Sequence, residues 1–145
     1  GGYAALAGMI FTPEIYACGV DLWGISNYFT FFEGIPLYWK PYLDQIRERW
    51  GDPVADRQQM YDTSPVFHVE NLEAPLFIAQ STNDTRVRLN QAEELIQELE
   101  KHNKDFEYML IEGEGHALTS EVKTIELMSR VEAFLEQNLG RGSAL

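Results

Sequence analysis

The sequence predicts an α/β protein built on a parallel sheet, and three observations carry that reading. Leu76-Phe77-Ile78-Ala79 is a short run that is apolar throughout, the pattern of a strand buried on both faces. It breaks into the polar turn cluster Ser81-Thr82-Asn83-Asp84, and a helical pattern follows over about residues 87–102. A second strand, turn and helix come next in the same order, with a β-rich stretch at Phe106–Ile111 and the loop Glu112-Gly113-Glu114-Gly115-His116. Strands separated by helices pair in parallel. The expected strands lie near 17–22, 75–80 and 106–111.

The elements follow in order. Residues 2–9 are small and apolar, suited to a helix that approaches a sheet closely, and Thr12-Pro13-Glu14 ends it. Residues 17–22 read as a buried strand with its carboxyl-end loop at 21–26. Aromatic residues then crowd the chain: Tyr28, Phe29, Phe31, Phe32, Tyr38, Trp39 and Tyr42. Leu43–Trp50 is a short charged helix closed by Gly51-Asp52-Pro53, and residues 54–61 form another helical turn that Ser64-Pro65 stops. The last helix opens at Thr119 as N-cap, with Val122, Ile125, Leu127, Met128, Val131, Phe134 and Leu135 as its apolar stripe. Residues 140–145 read as a flexible tail after a partial domain over 1–139.

Composition bounds the function. The chain has 145 residues, 45% hydrophobic and 23% charged, which fits a globular domain or a large part of one. A net charge of −12 argues against a nucleic-acid partner, because phosphate binding needs a basic face. No apolar run approaches the ~20 residues of a membrane span. No signal-peptide pattern is visible, and a cytoplasmic location is expected. The single Cys18 excludes an intrachain disulfide and reads as a small core residue. No Cys/His cluster has metal-ligand spacing, and neither metal nor cofactor is expected.

The chemistry points to two loops. Asp84 and His116 each follow a predicted strand, where parallel α/β sheets place their working groups. Asp84 alone fits a turn-forming Asp, and His116 alone fits a surface loop histidine. Together, on successive strands about 4.8 Å apart, they read as the support half of a nucleophilic triad, an Asp holding an imidazole in one tautomer. His68 and His102 read as structural or solvated, and Glu98, Glu100 and Lys101 as a solvated helix face.

These residues also carry a family resemblance. Over residues 1–139 the chain resembles the C-terminal part of the catalytic domain of the prolyl oligopeptidase family of serine peptidases (peptidase S9), in its acylaminoacyl-peptidase and dipeptidyl-peptidase-like branch. Gly1-Gly2-Tyr3 matches the end of that family's G-x-S-x-G-G-Y elbow. Ser64-Pro65 and Pro75-Leu76 match its S-P step and the strand that follows. Asn83-Asp84-Thr85-Arg86-Val87 matches the turn bearing the triad aspartate, and Glu114-Gly115-His116 the turn bearing the histidine. Two departures from the pattern appear, over three positions: Gln80-Ser81 stands where the family usually has His-Gly, and Arg88 where it has Pro.

The resemblance implies the C-terminal half of an α/β-hydrolase fold, with Asp84 and His116 catalytic. It puts the nucleophilic serine two residues before Gly1, outside this chain, together with the upstream strands and the family's propeller. Ser26, Ser64, Ser81 and Ser120 do not sit in an elbow flanked by glycines. It further implies that Trp23, Tyr28, Phe31 and Phe32 help line the pocket for the substrate residue on the acyl side of the scissile bond. The expected function is hydrolysis of peptide bonds in oligopeptides by a Ser-Asp-His triad, with the isolated chain inactive. A carboxylesterase of the same fold, and a non-catalytic module that self-associates, are the alternatives. An unpaired edge on strand 17–22 and the uncovered aromatics predict a homodimer or higher oligomer of the chain.

Overall fold

A computed structural model describes residues 1–140 of the chain. The tail expected at 140–145 lies, apart from Gly140, outside the described residues. The elements run α1 (Gly2–Phe11), β1 (Gly19–Leu22), α2 (Tyr28–Glu33), α3 (Leu43–Trp50), α4 (Arg57–Thr63), β2 (Leu76–Ser81), α5 (Asn90–Lys101), β3 (Phe106–Ile111) and α6 (Glu121–Leu139), with 3-10 segments at Pro13–Ile15, Leu37–Tyr42 and Pro65–Asn71. The three strands form one parallel sheet in the order β1-β2-β3. Gly19 is in register with Leu76, and Leu76 with Phe106.

β2 is the centre of the molecule, and every one of its residues is buried. Its alternating side chains feed two cores. Leu76 and Ile78 join Leu6, Met9 and Ile10 of α1 and Ala92, Leu95 and Leu99 of α5. Phe77 and Ala79 join Met109 and Ile111 of β3 and Leu127 and Phe134 of α6. Leu6 and Ile10 are fully buried, and each such side chain contributes about 2 kcal/mol of burial free energy. Helices on both faces therefore leave the carboxyl ends of the strands as the place for polar loops.

The structure moves several predicted boundaries, each for a physical reason. β1 begins at Gly19 rather than 17, because pairing starts where the Gly19 N–H reaches the Pro75 carbonyl. Cys18 before it is half-buried at the sheet's open edge. β2 ends at Ser81 because that residue still pairs with Ile111. The helical turn expected at 54–61 is α4 at Arg57–Thr63. Asp52 Oδ1 accepts the N–H groups of Val54 and Ala55, winding those residues into a turn of their own. Thr119 does not cap the last helix; both its N–H and its hydroxyl bond to Glu114, and Ser120 caps instead, accepting from Lys123 N. The apolar stripe of α6 also divides. Leu127 and Phe134 are buried with Val131 and Leu135 packed beside them, whereas Val122, Ile125 and Met128 lie exposed.

Candidate active site

The loops after all three strands converge at one end of the sheet. Asp84 has a side chain fully shielded from solvent. Its Oδ1 accepts the backbone N–H groups of Arg86 (2.8 Å) and Val87 (3.0 Å), so the turn itself fixes the carboxylate. Its Oδ2 is 2.7 Å from His116 Nδ1. The carboxylate accepts, so Nδ1 carries the proton and Nε2 is left as the basic nitrogen. Nε2 has no partner among the described residues, and the His116 side chain is 35% exposed.

The two loops are tied to each other as well. Asn83 N donates to the Glu114 carbonyl (2.9 Å), Thr82 N to the Ile111 carbonyl (3.1 Å) and Gly113 N to Thr82 Oγ1 (2.8 Å). Glu114 holds the far side of the histidine loop through Thr119, and Lys123 supports it from α6 with a bond to the Glu112 carbonyl. The Thr119 backbone N–H, the largest influence, keeps the Glu114 carboxyl below its ordinary range. Sequence reasoning placed Glu114 only in the turn that bears His116 and did not foresee its hold on Thr119, which it read as the cap of the last helix.

Both departures at the end of β2 have structural roles. Gln80, 1% exposed, donates from Nε2 to the Val87 carbonyl (2.8 Å) and so closes the aspartate turn. Ser81 accepts from the Trp23 indole N–H at 2.8 Å. Other serine hydroxyls are equally committed: Ser26 to the Gln91 carbonyl, Ser64 to the Met60 carbonyl and Ser120 to the cap of α6. Gln91, buried on α5, also receives the Ser26 and Asn27 N–H groups and thereby fastens the loop after β1 over α5.

Trp23, Tyr28, Phe31 and Phe32 differ in their surroundings. Trp23 lies beside His116, with ring centroids 6.0 Å apart. Tyr28 and Phe31 are buried, at 6% and 3% exposure, and Phe32 packs edge-on against Phe31. Phe31 underlies Trp39 and Trp50 at 6.3 and 5.4 Å. The open groove above is lined by Tyr38, Trp39, Tyr42, Ile46, Arg49 and Trp50, with a volume of about 500 Å³. Among the described residues no three His, Cys, Asp or Glu side chains are grouped to hold a metal, and no helix is long and apolar enough to cross a membrane.

A parallel sheet covered by helices, with an Asp–His pair on successive strand ends, defines part of an α/β-hydrolase. Solved structures agree on the fold. The puromycin-hydrolyzing peptidase of Mycobacterium tuberculosis superposes with a TM-score of 0.85 at 24% identity, covering 97% of this chain and 21% of that one. The acylaminoacyl peptidase of Pyrococcus horikoshii does so with a TM-score of 0.86 at 20% identity, covering 99% and 23%. The sequence model of the prolyl oligopeptidase family matches residues 1–142, and the chain belongs to that family of serine peptidases. Dipeptidyl aminopeptidase BIII of Pseudoxanthomonas mexicana is 34% identical over 142 residues, or 97% of this chain and 21% of the relative. Dipeptidyl peptidase family member 6 of Caenorhabditis elegans is 34% identical over 143 residues, or 97% and 19%. The chain thus spans about a fifth of the length of the curated relatives it matches.

Proposed function

We propose that the chain supplies the acid–base half of a serine peptidase, with His116 as general base and Asp84 as the group that orients it. The observation that carries this reading is the 2.7 Å contact between His116 Nδ1 and Asp84 Oδ2, with Asp84 Oδ1 already held by two backbone N–H groups. A carboxylate so fixed can hold only one imidazole tautomer and stabilises the imidazolium that forms when Nε2 takes a proton. In the longer enzyme, Nε2 takes the proton of the serine hydroxyl as that oxygen attacks the scissile carbonyl. It then returns the proton to the departing amine, and water repeats the cycle from the acyl-enzyme.

The nucleophile belongs to sequence outside this chain, and the isolated chain forms no acyl-enzyme. The relatives at 34% identity are a dipeptidyl aminopeptidase and a dipeptidyl peptidase, so release of dipeptides from peptide amino ends is the activity to assay first. The test is hydrolysis of dipeptidyl and acylaminoacyl substrates by the full-length parent and its His116→Ala variant. Loss of turnover of about 10³-fold or more is expected, and full turnover by the variant refutes the assignment.

A further inference from the structure

Trp23 stands in a conformation that its side chain disfavours. Its φ is +54°, in the left-handed region, where a bulky residue is strained and persists only if its surroundings fix it. They do. Trp23 N donates to the Ala79 carbonyl at 3.0 Å, extending the β1–β2 ladder by one bond. Gly24, next in the chain, is wedged against Gly2 and Asp21 so closely that a Cβ on either glycine would overlap the Asp21 carboxylate.

This turn directs the indole to one place. Nε1 donates to Ser81 Oγ at 2.8 Å, and Ser81 is the fully buried last residue of β2. The ring comes to rest beside His116, with centroids 6.0 Å apart and planes inclined by 50°. Trp23 thus links all three strand ends: it leaves β1, is anchored on β2, and touches the histidine of the loop after β3. The bond to Asp84 restrains His116 only at Nδ1 and leaves the ring free to rock about that contact. With the side chain 35% exposed, the indole supplies a packed wall that the hydrogen bond does not.

We propose that Trp23, anchored by the Ser81 hydroxyl, is a positioning residue that holds the His116 imidazole so that Nε2 stays aimed at one point. The inference rests on the reading of His116 as general base. Displacing a catalytic group by ~1 Å can lower a rate by up to about 10²-fold, so a residue that limits the swing of the base acts on kcat and spares KM.

Two measurements test this. In the chain itself, NMR of the His116 ring protons is expected to show upfield shifts from the indole ring current and cross-relaxation with Trp23. Ser81→Ala, which keeps the tryptophan but frees it, should diminish both; unchanged signals in that variant overturn the anchoring. In the full-length parent, Trp23→Phe and Ser81→Ala are each expected to lower kcat about tenfold with KM within about twofold, and the double variant should be no slower than the worse single one. Inactive His116→Ala with full kcat in both Trp23→Phe and Ser81→Ala overturns the positioning role and leaves the catalytic reading standing. Full activity of His116→Ala overturns the catalytic reading, and the positioning inference with it.

Discussion

Replacing Asp21 with Asn should flatten the pH dependence of stability. Asp21 is 2% exposed, and its Oδ1 has no hydrogen-bond partner among the described residues. Burial pushes its carboxyl up from 3.8 to about 7, against a weaker opposing pull from the Gly24 backbone N–H. Below 3.8 the group is protonated in both the folded and the unfolded chain and favours neither. Between 3.8 and about 7 the unfolded chain ionises while the folded chain keeps the proton, so stability falls as pH rises. Above about 7 both are ionised, and the folded state bears the full cost of a buried charge. At about 1.36 kcal/mol per pH unit, the ~1.5 units between about pH 5.5 and pH 7 correspond to roughly 2 kcal/mol. Urea unfolding of the wild type and Asp21→Asn from about pH 5.5 to 8.5 should therefore show the wild type losing roughly 2 kcal/mol more than the variant. Groups shared by both proteins, such as Asp52 and Glu114 with their lowered values, cancel in the difference. Parallel curves for the two proteins refute the reasoning.

Asp84→Asn in the full-length parent should lower kcat by about 10⁴-fold, because an amide permits the wrong imidazole tautomer; turnover within tenfold of wild type in a steady-state assay contradicts the orienting role. Phe134→Ala, which empties the site packed 5.7 Å from the Phe77 ring, should cost about 3–5 kcal/mol in chemical denaturation, whereas Ile125→Ser on the exposed face of α6 should change stability by no more than about 0.5 kcal/mol. The isolated chain should self-associate through the open edge of β1 and exposed residues such as Leu37, Tyr38 and Tyr42; light scattering that gives the mass of a single chain at micromolar concentration counts against it.

β2, buried on both faces, announces itself as an apolar run, and β3, only partly buried, as a β-rich stretch; both were legible within a residue. The two loops that follow them were legible too, because the topology leaves polar turns only at the strand ends. Local hydrogen bonding was harder to read. Asp52 delays α4, and Glu114 takes Thr119 away from its capping role, through side chains whose targets depend on the fold. The aromatic segment was the least legible. Crowded aromatics do not reveal which of them face inward, and here Tyr28 and Phe31 form the floor while Tyr38 and Tyr42 are exposed. The left-handed backbone at Trp23 left no mark in the sequence, since nothing local favours it.

The central claim is that His116 and Asp84 serve a serine that this chain does not contain. Labelling with a fluorophosphonate probe tests it most directly, applied to the chain, to the full-length parent and to the parent carrying His116→Ala. Labelling of the parent alone is the predicted result, with the His116→Ala variant labelled far more slowly because its serine lacks a base. Stoichiometric labelling of the isolated chain would mean that one of its own serines is the activated nucleophile, and would contradict the account.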